Sequence, residues 1–186
     1  MKIIAGRWKS RKLDFPKTHD VRPMMDKVRE SVFGTLGEKV QEAQVLDLYA
    51  GSGSLGMEAL SRGAKQVLFV ENNPLSLESI DKNRHTFQVL HQTQVWPLDV
   101  NSALKKLAKE PQSWDLLFID PPYNQGLIKK TLMATAHFDI LRPLGWVVVG
   151  HSRHESADEI SPLKLLKTNK FGGSRISFFI RLPTTE

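Results

Sequence analysis

The chain has 186 residues, of which 40% are hydrophobic and 25% charged, the size and balance of one globular domain with a single core, and no apolar run approaches the roughly 20 residues that span a bilayer. The absence of cysteine excludes disulfides and thiol chemistry, and a start without a long apolar stretch reads as lacking a secretory signal, so a soluble, cytoplasmic protein is expected. The net charge of +6 is unevenly placed: residues 1–30 hold nine basic groups against four acidic ones.

Within that basic stretch, Arg7-Trp8-Lys9-Ser10-Arg11-Lys12 sets an aromatic ring among cations. Such a mixture suits phosphate pairing with base stacking, and Arg22 extends it, so this stretch is expected to face nucleic acid. Apolar residues at Val28, Val32, Phe33 and Leu36 predict a helix over 26–36 with Asp26 as its N-cap. The run from Val45 to Tyr49 predicts a strand ending at glycines, and Leu55 to Arg62 a helix closed by Gly63. A second buried strand is expected at Gln66–Glu71, then a helix opened by Asn73-Pro74 and reaching about His91. A third strand is expected at Val95–Leu98, with Asn101 capping a short helix through Ala108. Trp114–Ile119 predicts a fourth strand, Gly126–Leu141 a helix and Trp146–Val149 a fifth strand. Alternating runs from Leu163 and Ile176, on either side of Lys170-Phe-Gly172-Gly173-Ser, predict a closing β-hairpin.

Apolar strands alternating with helices imply an α/β fold: a doubly wound, mostly parallel sheet, here with an antiparallel C-terminal hairpin. No internal repeat or interdomain linker interrupts it. Residues 1–36 read as a basic extension with a leading helix, part of the same domain as residues 37–186.

Two motifs carry the chemistry. The first is Asp47-Leu-Tyr49-Ala50-Gly51-Ser52-Gly53-Ser-Leu-Gly56, whose glycines permit a tight turn, close backbone approach to a ligand and tight packing of the next helix on the sheet. Met57-Glu58 stands where a P-loop needs Lys and Ser/Thr, and neither Ser52 nor Ser54 has the glycine spacing of a hydrolase elbow. A dinucleotide or an adenosine cofactor remains. A carboxylate at Asp47 would repel a pyrophosphate and welcome a sulfonium amino acid, which favours S-adenosyl-L-methionine over NAD. Glu71, with Asn72 beside it, ends the second strand where ribose hydroxyls are bound in such folds, and Asp99-Val100 ends the third, either toward adenine or as a helix cap.

The second motif, Asp120-Pro121-Pro122-Tyr123, leaves the fourth strand. A residue before proline is pushed toward extended geometry and proline has no N–H, so the corner is rigid and presents acceptors with few local donors. An exocyclic base amine donates two hydrogens and needs such acceptors, while Tyr123 can stack on the base for about 1–3 kcal/mol. The histidines are scattered and His151 with His154 lacks a third ligand nearby, so no metal is expected.

These residues resemble class I S-adenosylmethionine-dependent methyltransferases of Rossmann-like fold. More closely, Ile4–Leu13, Arg22-Pro23, Asp26–Phe33, Asp47–Gly63 and Phe118–Tyr123 are similar to the bacterial 16S rRNA guanine-N2 methyltransferase family called RsmD. The resemblance implies that Asp47, Gly51 and Gly53 flank the methionine end of the cofactor, Glu71 its ribose and Asp99 its adenine. It implies that Asp120, Pro121 and Tyr123 hold the guanine, and that the partner is 16S rRNA within an assembled or nearly assembled 30S subunit, met by a monomer. This chain departs from the family at Met24 and Met25, where a threonine commonly follows Arg-Pro, and at Gly150-His151, where a glutamate is frequent. Other readings of the residues are a DNA adenine-N6 or cytosine-N4 methyltransferase, a nicotinamide dehydrogenase and a non-catalytic RNA-binding assembly factor.

Overall fold

In the computed structural model of the chain, residues 1–16, 24–111 and 113–183 are described. Among the described residues seven strands form one sheet: β1 (Gln44–Leu48), β2 (Gln66–Val70), β3 (Thr93–Trp96), β4 (Trp114–Ile119), β5 (Leu141–Ser152), β6 (Leu163–Phe171) and β7 (Ser174–Arg181). Their order is β3-β2-β1-β4-β5-β7-β6, with β1 to β5 parallel and β7 antiparallel to both β5 and β6. The doubly wound sheet with an antiparallel edge is therefore as expected. The winding reverses between β1 and β4, where a crevice opens in sheets of this kind.

The faces are covered by the α-helices α1 (Asp26–Leu36), α2 (Ser54–Ser61), α3 (Pro74–Thr86), α4 (Val100–Leu107) and α5 (Leu127–His137). Strand residues alternate between two apolar layers, as the period-two geometry of a strand requires. Val45, Phe69, Phe118 and Val148 pack toward α1 and α2, whereas Leu46, Leu68, Leu117 and Val147 pack toward α4 and α5.

Several boundaries differ from the sequence reading, each for a local reason. Asp26 does not cap α1: Met25 holds the cap position, and Asp26 lies in the first turn, paired with Arg29 at 3.0 Å. Helix α3 stops at Thr86, short of His91, because Gln88 adopts φ 57, outside the right-handed helical region. Strand β3 lies two residues earlier than expected and ends before Pro97, which has no N–H for the ladder. Asp99, not Asn101, caps α4 by accepting the Ser102 amide at 3.0 Å. Helix α5 ends at His137, and Asp139 at φ 51 turns the chain into β5, which is much longer than the four residues expected.

The basic N-terminal segment is folded onto the domain. Residues 1–13 form a hairpin-like hook, closed by Ile3 N–H to Arg11 C=O and Ser10 N–H to Ile3 C=O. Glu58, fully buried on α2, accepts the amides of Ile4 at 2.8 Å and Ala5 at 3.0 Å and the Arg62 guanidinium at 2.8 Å. Gly6 sits at φ +82, and a Cβ there would stand 1.9 Å from the Ser61 carbonyl oxygen, so only glycine allows this approach. Ile3 and Leu13 complete the anchorage by entering the core.

Candidate active site

The register of the central strands builds the site. Leu48 is paired with both Val70 and Ile119, so β1, β2 and β4 end in line, and Tyr49, Glu71 and Asp120 emerge side by side at the carboxyl edge. A cavity of about 660 Å³ opens there, lined among others by Tyr49, Glu71, Asn72, Asp99, Val100 and Pro122. The exits of β1, β2 and β3 and Pro122 of the proline corner thus share one space, large enough for a nucleoside-sized ligand, while Gly51, Gly53, Asp120, Pro121 and Tyr123 stand outside its lining.

The glycine loop is shaped from within. Tyr49 (φ 59), Gly51 (φ 54) and Gly53 (φ 77) all take left-handed conformations, so the chain turns sharply from β1 into α2. Tyr49 is held there by its hydroxyl, 2.8 Å from the Thr131 hydroxyl on α5. Ala50 is tied back to β2 by its amide, which donates to the Val70 carbonyl. Gly56 serves packing, since a Cβ would fall 2.4 Å from the Phe69 ring. Ser52 is buried, and its carbonyl accepts from Asn83 at 3.1 Å.

Of the acidic residues that the sequence marks, Glu71 and Asp99 line the cavity, whereas Asp47 and Asp120 do not. Asp47 is turned inward. It is 1% exposed, and its carboxylate accepts the Gly56 amide at 3.0 Å, so it fastens the start of α2 to β1. Burial holds the Asp47 carboxyl well above the usual range. The Gly56 amide opposes that rise, while the nearby charges of Asp120 and Glu71 add to it. Glu71 gathers three amides, those of Gly51 at 2.7 Å and of Asn72 and Asn73 at 2.8 Å each, and so welds the glycine loop to the exit of β2. Asp99 both caps α4 and lines the cavity. Its bonds from Ser102 hold it below the usual carboxylate range.

At the proline corner, Pro121 is buried, while Pro122 and Tyr123 are exposed. Among the described residues no donor reaches the Asp120 carboxylate, and burial pushes its carboxyl up to about 6. Among the described residues Asp120 is thus a part-buried acceptor without a donor, whereas Asp47 and Glu71 are already engaged by backbone amides. Lining residues that no sequence signal marked are Leu104, Gln125, Lys130 and Thr131. They come from α4, α5 and the loop before α5, where spacing alone cannot tell a cavity wall from a core face.

In the hook, Trp8 packs on Phe87 with ring centroids 4.9 Å apart, and the Arg7 guanidinium lies 4.0 Å over its indole. Arg11 covers the Phe87 ring at 4.4 Å and donates to the Thr86 carbonyl at 3.1 Å, while Arg7 also donates to Gln92 at 2.8 Å. Trp8 is therefore part of the fold, and its ring already has two neighbours. Lys9 and Lys12 project to solvent, and Arg22 lies outside the described residues. Among the described residues no cluster of three or more His, Asp or Glu could hold a metal ion, and no helix is long and apolar enough to cross a membrane.

A family model described as conserved hypothetical protein 95 matches residues 1–180. The chain is 31% identical over 180 residues to YlbH of Bacillus subtilis, provisionally named an rRNA methyltransferase, covering 96% of this chain and 98% of that protein. It is 34% identical over 147 residues to ribosomal RNA small subunit methyltransferase D of Escherichia coli, covering 79% of this chain and 69% of the relative. The solved structure of yhhF from Escherichia coli, provisionally named a methyltransferase, superposes with a TM-score of 0.86 at 28% identity, covering 98% of each chain.

Proposed function

This chain belongs to the family that the conserved hypothetical protein 95 model describes, and from that membership and the site we propose that it transfers a methyl group from S-adenosyl-L-methionine to the exocyclic N2 amine of a guanine in 16S rRNA. The observation that carries the reading is the register of Leu48 with Ile119. It sets the exits of β1 and β4 next to each other at the switch point of the sheet, with Tyr49 and Pro122 on one cavity and the rest of both motifs adjoining them in the chain.

The residues present fit the cofactor. Glu71 and Asp99 offer carboxylate oxygens at the rim for ribose and adenine, and Tyr49, Asn72 and Val100 form the walls between them. Ala50, Gly51, Ser52 and Gly53 shape the turn that admits the methionine end, and Gly56 seats α2 behind it. Asp47 acts through the fold rather than by contact, its carboxyl holding the Gly56 amide so that the glycine loop keeps its shape, while Glu71 and Asp99 supply the acidic wall of the cavity. When bound, S-adenosyl-L-methionine supplies an electrophilic methyl carbon on a sulfonium.

The corner supplies the rest. Asp120 and the Pro121 carbonyl accept the two hydrogens of the amine, which draws its nitrogen lone pair out of conjugation and aims it at the methyl carbon. Asp120, or solvent, would take the proton that the amine must lose once it carries the methyl group. Pro122 keeps the corner open, and Tyr123 stacks on the base, which is swung out of its own stack to reach the pocket. Arg7, Lys9, Arg11, Lys12 and Arg22 meet phosphates, with Trp8 fixing the hook that carries them. The substrate context is an assembled or nearly assembled 30S subunit, and the protein works as a cytoplasmic monomer.

Replacing Asp120 by Ala should lower turnover on the order of 10²–10³-fold, the scale for removing one charge-stabilising partner, with cofactor affinity within about twofold of wild type. Methylation of 30S particles and naked 16S RNA with labelled cofactor, followed by nucleoside mass spectrometry, checks both the base and the turnover, and calorimetric titration with the cofactor checks its affinity. Labelled adenine or cytosine in place of N2-methylguanine would overturn the assignment.

A further inference from the structure

We propose that the carboxyl end of β5 is the seat of the catalytic corner, with Gly150 and Ser152 as positioning residues that hold the loop from Asp120 to Asn124 at its two ends and thereby set how Asp120 faces the amine. The proposal rests on the reading of Asp120 as the amine's acceptor. It follows from the register of β4 and β5, whose last pair is Ile119 with Val149, so that Asp120 and Gly150 come next to each other just beyond the ladder.

At Gly150 the constraint is space. A Cβ there would stand 2.2 Å from Asp120 Oδ1 and 3.0 Å from its Cγ, and Met24 Cε lies 3.5 Å from the same point. The carboxylate occupies the volume that any side chain would claim, with Met24 in ordinary contact with the same volume. Gly150, Asp120 and Met24 thus border one small volume. Any residue larger than glycine would swing Asp120 away from the line of β4.

At the other end of the loop, the buried Ser152 hydroxyl donates to Asn124 Oδ1 at 2.8 Å. Asn124 adopts φ 61, a left-handed conformation that asparagine tolerates, so the chain turns back at the point where it is tied. The post itself is firm. His151 and Ser152 pair with Arg175 and Ser174 of β7, the Arg153 amide donates to Gly173 at 2.9 Å, and His151 Nε2 lies 2.9 Å from the Ser177 hydroxyl. A short loop with two prolines inside, leaving the β4–β5 ladder at one end and tied to Ser152 at the other, has few ways to move. Tyr123 stands immediately before the second tie, so the base platform and the acceptor are fixed by the same strand.

The test compares Gly150→Ala, Ser152→Ala, Asn124→Gly and Asn124→Asp. Gly150→Ala should lower kcat on the order of 10²-fold, as a misplacement near 1 Å does, with the cofactor Kd within about twofold and the pH midpoint of kcat/KM displaced. Asn124→Gly keeps the backbone conformation but loses the tie, and it should lower kcat several-fold. Ser152→Ala should do the same, and the double variant should be no worse than either single one. Asn124→Asp retains the acceptor and should restore most of what Asn124→Gly loses. Unchanged kcat and pH midpoint in Gly150→Ala, or Asn124→Asp as impaired as Asn124→Gly, would overturn the proposal. The midpoint is also read by carbon NMR titration of the Asp120 carboxyl, without any RNA. A wild-type protein inert toward RNA would sink the function, while a displaced titration in Gly150→Ala would still support the seat.

Discussion

The hook at residues 1–13 and the corner at residues 120–124 are both short, irregular segments laid against the sheet, yet they are held by opposite means. In the hook, Glu58 is fully buried and its carboxylate is met by two backbone amides and a guanidinium, donors that each need an acceptor. In the corner, Asp120 is part-buried with no donor among the described residues. The first arrangement stabilises the fold. The second keeps a desolvated acceptor ready for a substrate hydrogen, and its cost is borne by the surrounding sheet.

The largest expected effect that would sharpen this contrast lies in the hook. Glu58→Ala removes the acceptor of two backbone amides and of Arg62, and should destabilise the protein by about 3–5 kcal/mol, read by urea unfolding. At permissive temperature the surviving folded fraction should retain a near-normal kcat. A loss of kcat out of proportion to folded protein would mean that the hook also shapes the site.

The next effect has the opposite sign. Because the folded-state pKa of Asp120 is raised above its ordinary value, the folded protein binds more protons than the unfolded chain between about pH 4 and 6, and stability falls as pH rises through that window. Asp120→Asn should therefore stabilise the protein at neutral pH by about 1–2 kcal/mol, after discounting for partial exposure, while turnover collapses. A destabilised Asp120→Asn would break the comparison. In the wild type, kcat/KM should rise with pH through about 6 and level off above it, because the ionised carboxylate is the acceptor.

The smallest effect concerns the cations that the hook displays. Replacing Lys9 and Lys12 with Gln should leave stability and kcat unchanged and lower the slope of log affinity against log salt by roughly 0.7–0.9 for each phosphate that is no longer neutralised. An unchanged slope would remove these side chains from the RNA interface.

Much of the architecture is legible because it is written locally. Val45–Tyr49 followed by glycines, Asn73-Pro74 at the start of α3 and Gly172-Gly173 between β6 and β7 each carry a turn or cap signal beside an apolar run. The differences fall where a signal is not local. Nothing in the residue type of Gln88 warns of a positive φ, so the sequence pattern runs on to His91. The start of β5 is interrupted by Arg142, Pro143 and Gly145 and its end is Gly150-His151-Ser152, so only the run Trp146–Val149 stands out as a strand.

In the site, the acids are legible as residues but not as roles. Asp47, Glu71, Asp99 and Asp120 stand at strand ends, and carboxylates after apolar runs are conspicuous. Nothing local shows that Asp47 is turned inward onto Gly56, or that Trp8 is packed on Phe87 rather than presented to solvent. Those outcomes depend on which surface lies opposite, and Phe87 is 79 residues away from Trp8 along the chain.

The sequence by itself therefore determined the alternation of strand and helix, the glycine turn after β1 and the rigidity of Asp120-Pro121-Pro122-Tyr123, because each follows from backbone preferences within a few residues. Only the tertiary structure decided that Leu48 lies beside Ile119, that Gly150 leaves room for the Asp120 carboxylate and that Ser152 ties Asn124. Strand order and register are set by how two apolar layers close over the whole sheet, a balance to which every element contributes and which no short segment encodes.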